Sequence, residues 1–173
     1  MKKLVVVMML LVAFGLASFA QSAKQKAEQM ASEFNKEKHK TKEKNGVVTK
    51  KDVKVDARPD VLQDASGYSA TYELEGLDQY FTLDNSSGSW KGVFSGNKDG
   101  KTSTAATLKN IRIQDGLLTA TLIDKDGKEK PFEAVFIIRS GDGYEARGIG
   151  FTQELLLANG WKFDKAFFKR QEL

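Results

Sequence analysis

Four carboxylates are the residues of this sequence best suited to acid and base chemistry: Glu73 and Glu75 in TYELEG, Glu133 in PFEAVF and Glu145 in GYEARG. Two of them facing each other across a cleft would make the acid and base of a glycoside hydrolase. The local pattern argues against that pairing. Glu73 and Glu75 alternate with Tyr72 and Leu74, and Glu133 follows Phe132, so each falls on the polar side of its strand. Calcium is the second chemistry to weigh, because Asp124-Lys125-Asp126-Gly127 opens like an acidic loop. An EF-hand needs a glycine at its sixth position and a glutamate at its twelfth, and Gly127 comes two positions early. The same pattern recurs as Asn97-Lys98-Asp99-Gly100, and both read as hairpin turns, a type I turn closed by a left-handed glycine.

Other reaction types lack their residues. The chain has no cysteine, which removes disulfides, thiolate metal sites and a cysteine nucleophile. Its one histidine, His39, sits in a lysine-rich stretch, whereas a base that serves a nucleophile must be held in a pocket. No Gly-x-Ser-x-Gly elbow and no His-Glu-x-x-His are present. Gly148-Ile149-Gly150 lacks the third glycine and the βαβ frame of a dinucleotide loop. No catalytic residue, metal or cofactor is expected.

What remains is aromatic. Tyr72, Trp90, Phe94, Phe132, Phe136, Trp161 and Phe163 can share one interior. A small barrel either fills that interior with side chains or leaves room for one small ligand. These seven are the candidate lining of a pocket for a hydrophobic or amphipathic ligand. They are equally the residues with which a disulfide-free domain would build its core.

The elements that must position them begin at residue 46. Before that, residues 1–20 carry Lys2 and Lys3, an apolar run from Leu4 to Leu16, and small residues at Ser18 and Ala20, the pattern of a secretory signal peptide cut before Gln21. The run is short for a membrane-spanning helix, so export to the periplasm or the exterior is expected, with no stable membrane span after cleavage. Residues 21–45 hold seven lysines against four glutamates and a thin apolar stripe, Ala23, Ala27, Met30 and Phe34, at helical spacing. A helix, fraying beyond Asn35 into a flexible Lys/Glu tail, is expected. It either caps the domain or lies on a membrane surface or partner through its lysines. From Gly46 onward 18 basic residues meet 19 acidic ones, so the pI near 9.1 belongs to the leader and tail, and a nucleic-acid partner is not expected.

Residues 46–66 read as a lead-in strand and turn around Pro59. Residues 67–173 then show turn signals at short intervals: NSSGS, NKDGK, QDG, DKDGK and SGDGY. Between them apolar and polar residues alternate, as at Tyr68, Ala70, Tyr72 and Leu74. In PFEAVFIIRS both faces are apolar, since Val135 and Ile137 oppose Phe132, Ala134, Phe136 and Ile138, so the second face calls for a cover. TQELLLANG is read as a short helix from Thr152 to Asn159-Gly160, and WKFDKAFFKR as a final strand. The sum is a mainly β fold: one antiparallel meander of about eight strands closing into a small barrel or curled sheet, with an N-terminal helix.

That strand rhythm, from Tyr68 to Arg170, resembles the lipocalin-like, calycin-type secreted barrels, and also the small barrels that follow some bacterial serine hydrolase domains. Lipocalins carry Gly-x-Trp on their first barrel strand. Here Gly88-Ser89-Trp90 falls on the third, so no family residue is carried over. The resemblance implies an exported, non-catalytic protein that holds a small hydrophobic ligand inside the barrel. The alternative is an envelope-associated structural or interaction module with a filled core, acting on a protein partner through its outer surface. A carboxylate-based hydrolase ranks behind both.

Overall fold

The structure, a computed structural model, describes residues 22–40, 50–74, 77–98, 101–141, 143–156, 162–163 and 165–171. A helix, α1, spans residues 22–32. It leads through Asn35 into a two-stranded ribbon, β1 (Lys36–Lys40) and β2 (Lys50–Lys54). Next come β3 (Asp56–Pro59) and a single 3-10 turn (Ala65–Tyr68) started by Asp64, whose carboxylate accepts the Ser66 N–H.

The barrel follows: β4 (Ala70–Leu74), β5 (Gln79–Asp84), β6 (Lys91–Lys98), β7 (Lys101–Gln114), β8 (Leu117–Asp124), β9 (Glu129–Gly141) and β10 (Tyr144–Phe151). A short ribbon of β11 (Leu155–Leu156) and β12 (Lys162–Phe163) intervenes before β13 (Ala166–Arg170). Strand β13 pairs with both β10 and β4 and so closes an eight-strand antiparallel barrel in meander order. Closure gives every barrel strand a neighbour on both sides over at least part of its length. Strand β3 is extra, lying along β9 just beyond the point where β8 begins.

Turn chemistry sets these registers. At Asp124 the carboxylate weighed above as a calcium ligand accepts the backbone N–H groups of Asp126 and Lys128. Gly127 stands at φ 77°, the left-handed residue that closes this hairpin. The tip of the matching turn, residues 99–100, lies outside the described residues.

Two cores result, one on each face of the sheet. Inside the barrel, Tyr72, Phe81, Phe94, Phe132, Phe136, Phe151 and Phe168 are all nearly inaccessible. Outside, Ala23, Ala27, Met30, Ala31 and Phe34 of the α1 segment pack on Ala57, Leu117, Val135 and Ile137. The apolar second face of β9 thus gets its cover from within the chain. Alanines at every fourth position of α1 let the helix lie close to the sheet. The segment is also held by a Lys26–Glu133 ion pair of 2.6 Å and, just past the helix, by Lys165 donating to the Glu33 carbonyl.

Three expectations need correcting. At its described positions the Lys/Glu stretch after Asn35 is strand β1, paired with β2, and Asn35 accepts the Val55 N–H on its carbonyl and the Ala57 N–H on Oδ1; residues 41–45 of that stretch lie outside the described residues. The helix expected from Thr152 is replaced at its described positions by β11, because so short a segment gains too few helical bonds to offset nucleation. The final strand is not one run: β12 stands apart from the barrel sheet, and β13 begins at Ala166 with Ala166 and Phe168 inward and Phe167 outward.

Candidate binding groove

The aromatic residues expected to line a pocket are found packed on one another. Phe94 is the hub, with ring centroids 4.8 Å from Phe81, 5.6 Å from Phe132, 6.1 Å from Phe151 and 6.0 Å from Phe168. Phe136 stacks on Tyr68 at 4.1 Å and meets Tyr72 at 6.1 Å. These are contact separations for aromatic pairs, so Tyr72, Phe94, Phe132 and Phe136 occupy the interior themselves. Trp90 is half-buried against the same cluster, next to the turn glycine Gly88, as a core tryptophan after a turn would be. Trp161 and the side chain of Phe163 lie outside the described residues.

Open space lies instead where the barrel closes. Strand β13 meets β10 only from Gly148 onward, and it joins β4 through Lys169↔Glu73 and Arg170↔Tyr72. One further bond, from the Gln171 N–H to the Thr71 carbonyl at 2.9 Å, extends that seam. Residues 144–147 of β10 pair with β9 alone. A groove of about 1320 Å³ opens there, lined by residues 69–71, 73, 82–84, 145–147 and 169–171.

Its lining is two-sided in character. Leu83 and Ala146 are buried and Ala70 half-buried, giving an apolar base. Around it stand three cations, Arg147, Lys169 and Arg170, and three acids, Glu73, Asp84 and Glu145. Two of the acids are already engaged. Glu73 accepts the Gln171 side-chain amide at 2.6 Å. Asp84 accepts the N–H and then the hydroxyl of Ser86, which hold its carboxyl below the usual range. Of the cations, Arg147 stands 3.8 Å from the buried Asp60, while Lys169 and Arg170 have no ion-pair partner among the described residues.

Below the groove the tyrosines form a relay of hydrogen bonds. The Tyr72 hydroxyl donates to the Tyr68 carbonyl at 2.7 Å, and the Tyr68 hydroxyl donates to the Asp60 carbonyl at 2.8 Å while accepting the Leu62 N–H. Burial pushes the Tyr72 phenol far above its ordinary pKa, although the Arg170 charge opposes this. Tyr68 is raised in the same way, chiefly by burial.

The carboxylates split between sites. Glu73 and Glu145 reach the groove, whereas Glu133 is held by Lys26 on the helix side and Glu75 lies outside the described residues. Charge reasoning that followed only the acids passed over Arg147 and Arg170. Their signal was phase: Arg147 continues the inward series Phe151 and Ile149, and Arg170 continues Phe168 and Ala166. A cation on the apolar phase near a strand end marks a barrel mouth.

No protein family, curated protein or solved structure matches the chain.

Proposed function

We propose that the protein is an exported, non-catalytic binding module whose barrel is a filled scaffold, and which takes an amphipathic ligand with an anionic group in the groove beside β13. The single observation that carries this reading is the pair Lys169 and Arg170, cations without an ion-pair partner among the described residues, beside an apolar base. A carboxylate or phosphate would meet them, and its alkyl or ring portion would cover Ala70, Leu83 and Ala146. The lipocalin-like layout supports a binding role, but the packed rings move the site from the interior to the mouth. Export rests on the leader pattern of residues 1–20, which lie outside the described residues.

The test is calorimetric titration with a medium-chain fatty acid and with the alcohol of equal length. The acid is expected to bind and the alcohol not, and Arg170→Ala is expected to weaken the acid roughly tenfold or more, the loss of a charged hydrogen bond. Equal binding of acid and alcohol, or an unchanged Arg170→Ala variant, would reject the groove. The alternative, a protein-interaction module acting through its outer surface, is favoured by the same filled interior and would then stand.

A further inference from the structure

The barrel seam opens at a particular pair of residues. Strand β13 runs beside β10 from Phe151↔Ala166 to Gly148↔Lys169, and the next step of that register would set Arg147 directly opposite Arg170. Both belong to the inward phase of their strands, continuing Ile149 and Phe168, which oppose each other in the core. The pairing stops one residue short of this opposition: Arg147 stays with Ile138 of β9, and Arg170 with Tyr72 of β4. Like charges directly opposed destabilise a strand pair, which accounts for the parting of the two strands at this point. Both arginines line the groove that results.

Their guanidiniums keep their donors. Arg170 is half-buried and makes no side-chain hydrogen bond or ion pair among the described residues. Arg147 stands 3.8 Å from the Asp60 carboxylate, too far for a hydrogen bond, and its side chain has no other partner among the described residues. A guanidinium presents its N–H donors in a planar fork that matches carboxylate or phosphate oxygens. A carboxylate carries one charge and is satisfied by one fork, whereas a phosphate monoester carries close to two charges on three acceptor oxygens and can be shared between two forks.

We propose that Arg147 and Arg170 form a clamp across the seam, and that the ligand of the groove is a phosphate monoester with an apolar chain. The assignment rests on the groove taking amphipathic anions at all, and it narrows the anionic group. The phosphoryl group would lie between the two arginines and remove their repulsion, and the chain would cover Ala70 and Leu83. Glu73 and Asp84 lie on the other phase of their strands, with Thr71 and Thr82, and are already engaged. Glu145 is the remaining acid of the lining, on the same face as Arg147 and roughly 7 Å along the strand, and it opposes the ligand.

The experiment is calorimetric titration of the protein with octyl phosphate, octanoate, octanol and inorganic phosphate at about pH 8, where the monoester is a dianion. Octyl phosphate is expected to bind roughly tenfold or more tighter than octanoate, and inorganic phosphate, which lacks the chain, roughly tenfold or more weaker than octyl phosphate. At about pH 5.5, where the monoester takes up a proton, its advantage over octanoate is expected to fall to within about threefold. Arg147→Lys keeps a charge beside Asp60 but loses the fork, and is expected to weaken octyl phosphate about fivefold while leaving octanoate unchanged. Glu145→Gln is expected to strengthen octyl phosphate about threefold, a gain that misfolding cannot produce. The proposal fails if octyl phosphate binds no tighter than octanoate, if its advantage survives unchanged at the lower pH, if inorganic phosphate binds as tightly, or if either variant binds octyl phosphate like the parent. Preference for octanoate over octanol with no further gain from the phosphate strikes the clamp alone, whereas equal binding of octanoate and octanol rejects the groove reading itself.

Discussion

The ring of Phe34 lies directly over the bare Cα of Gly150. A Cβ built on that glycine would stand 2.6 Å from the ring and 2.7 Å from the Ile137 side chain. One residue pair away, the ring of Phe167 covers Gly148 in the same manner, with centroids 6.3 Å from Phe34. Gly148 and Gly150 therefore form a seat on the outer face of β10 for two aromatic rings, one from the N-terminal segment and one from β13.

From this seat follows a coupling. Gly150→Ala is expected to cost about 1–3 kcal/mol by forcing Phe34 and Ile137 aside, and Phe34→Ala about 3–5 kcal/mol by leaving a hole. Combined, the two changes should cost less than their sum, because the methyl partly fills the space left by the ring. Urea denaturation of the four members of the cycle measures this. Simple additivity would show that the ring does not rest there.

Helix α1 belongs to the folded unit, despite its thin stripe. Ala27 is fully buried at 0 % exposure, and a charge placed there must be desolvated or expel the helix. Ala27→Glu is expected to destabilise by about 2 kcal/mol or more and to lower the melting temperature by roughly 4–8 °C. A detached helix would also bare Leu117, Val135 and Ile137, so dye binding should rise. An unchanged melting curve would mean that the helix is not docked.

Gly127 offers a purely backbone test. Nothing lies within 4 Å of a Cβ built on it, so any cost of substitution comes from its φ of 77°. Gly127→Val is expected to lose about 1–2 kcal/mol or more, seen as a fall in the urea midpoint at constant slope. A neutral result would reject the left-handed turn.

Alkali should attack this protein through its tyrosines. Burial raises the folded pKa of Tyr72 and Tyr68 above that of an unfolded phenol. The folded state therefore holds protons that the unfolded state releases, and stability present below pH of about 10 is lost as the pH rises beyond it. Circular dichroism and tyrosinate absorbance recorded together should change in one step for the buried pair. Ionisation of all tyrosines while the barrel stays intact would contradict the buried hydrogen-bond relay.

Alternation made most of the barrel legible, because a strand with one wet face announces its phase, as Tyr72 between Thr71 and Glu73 does. The doubly apolar β9 was legible too, and its demand for a cover is met by Met30 and Phe34. Phase failed where both neighbours are aromatic. Phe167-Phe168 gives no alternation to read, and the break before Ala166 decides which ring goes in. Bulges were also silent: the register shift at Phe94/Ser95 buries Ala105 and Ala106 side by side, against the rule that adjacent residues take opposite faces. The groove cations were hidden for a similar reason, since their place depends on where β13 and β10 part and not on any local motif.

Asn35 receives Val55 through its own carbonyl at 3.1 Å and Ala57 through its side chain at 2.9 Å. The chain thus leaves for the ribbon and returns from it at one residue, as if a stalk had been spliced into a tight corner. Everything between those two points is topologically an insertion, and the barrel and its helix contact each other without it. The length of chain between Asn35 and Val55 can therefore change without disturbing how α1 packs on β9, and a different segment grafted at that corner would meet the same frame.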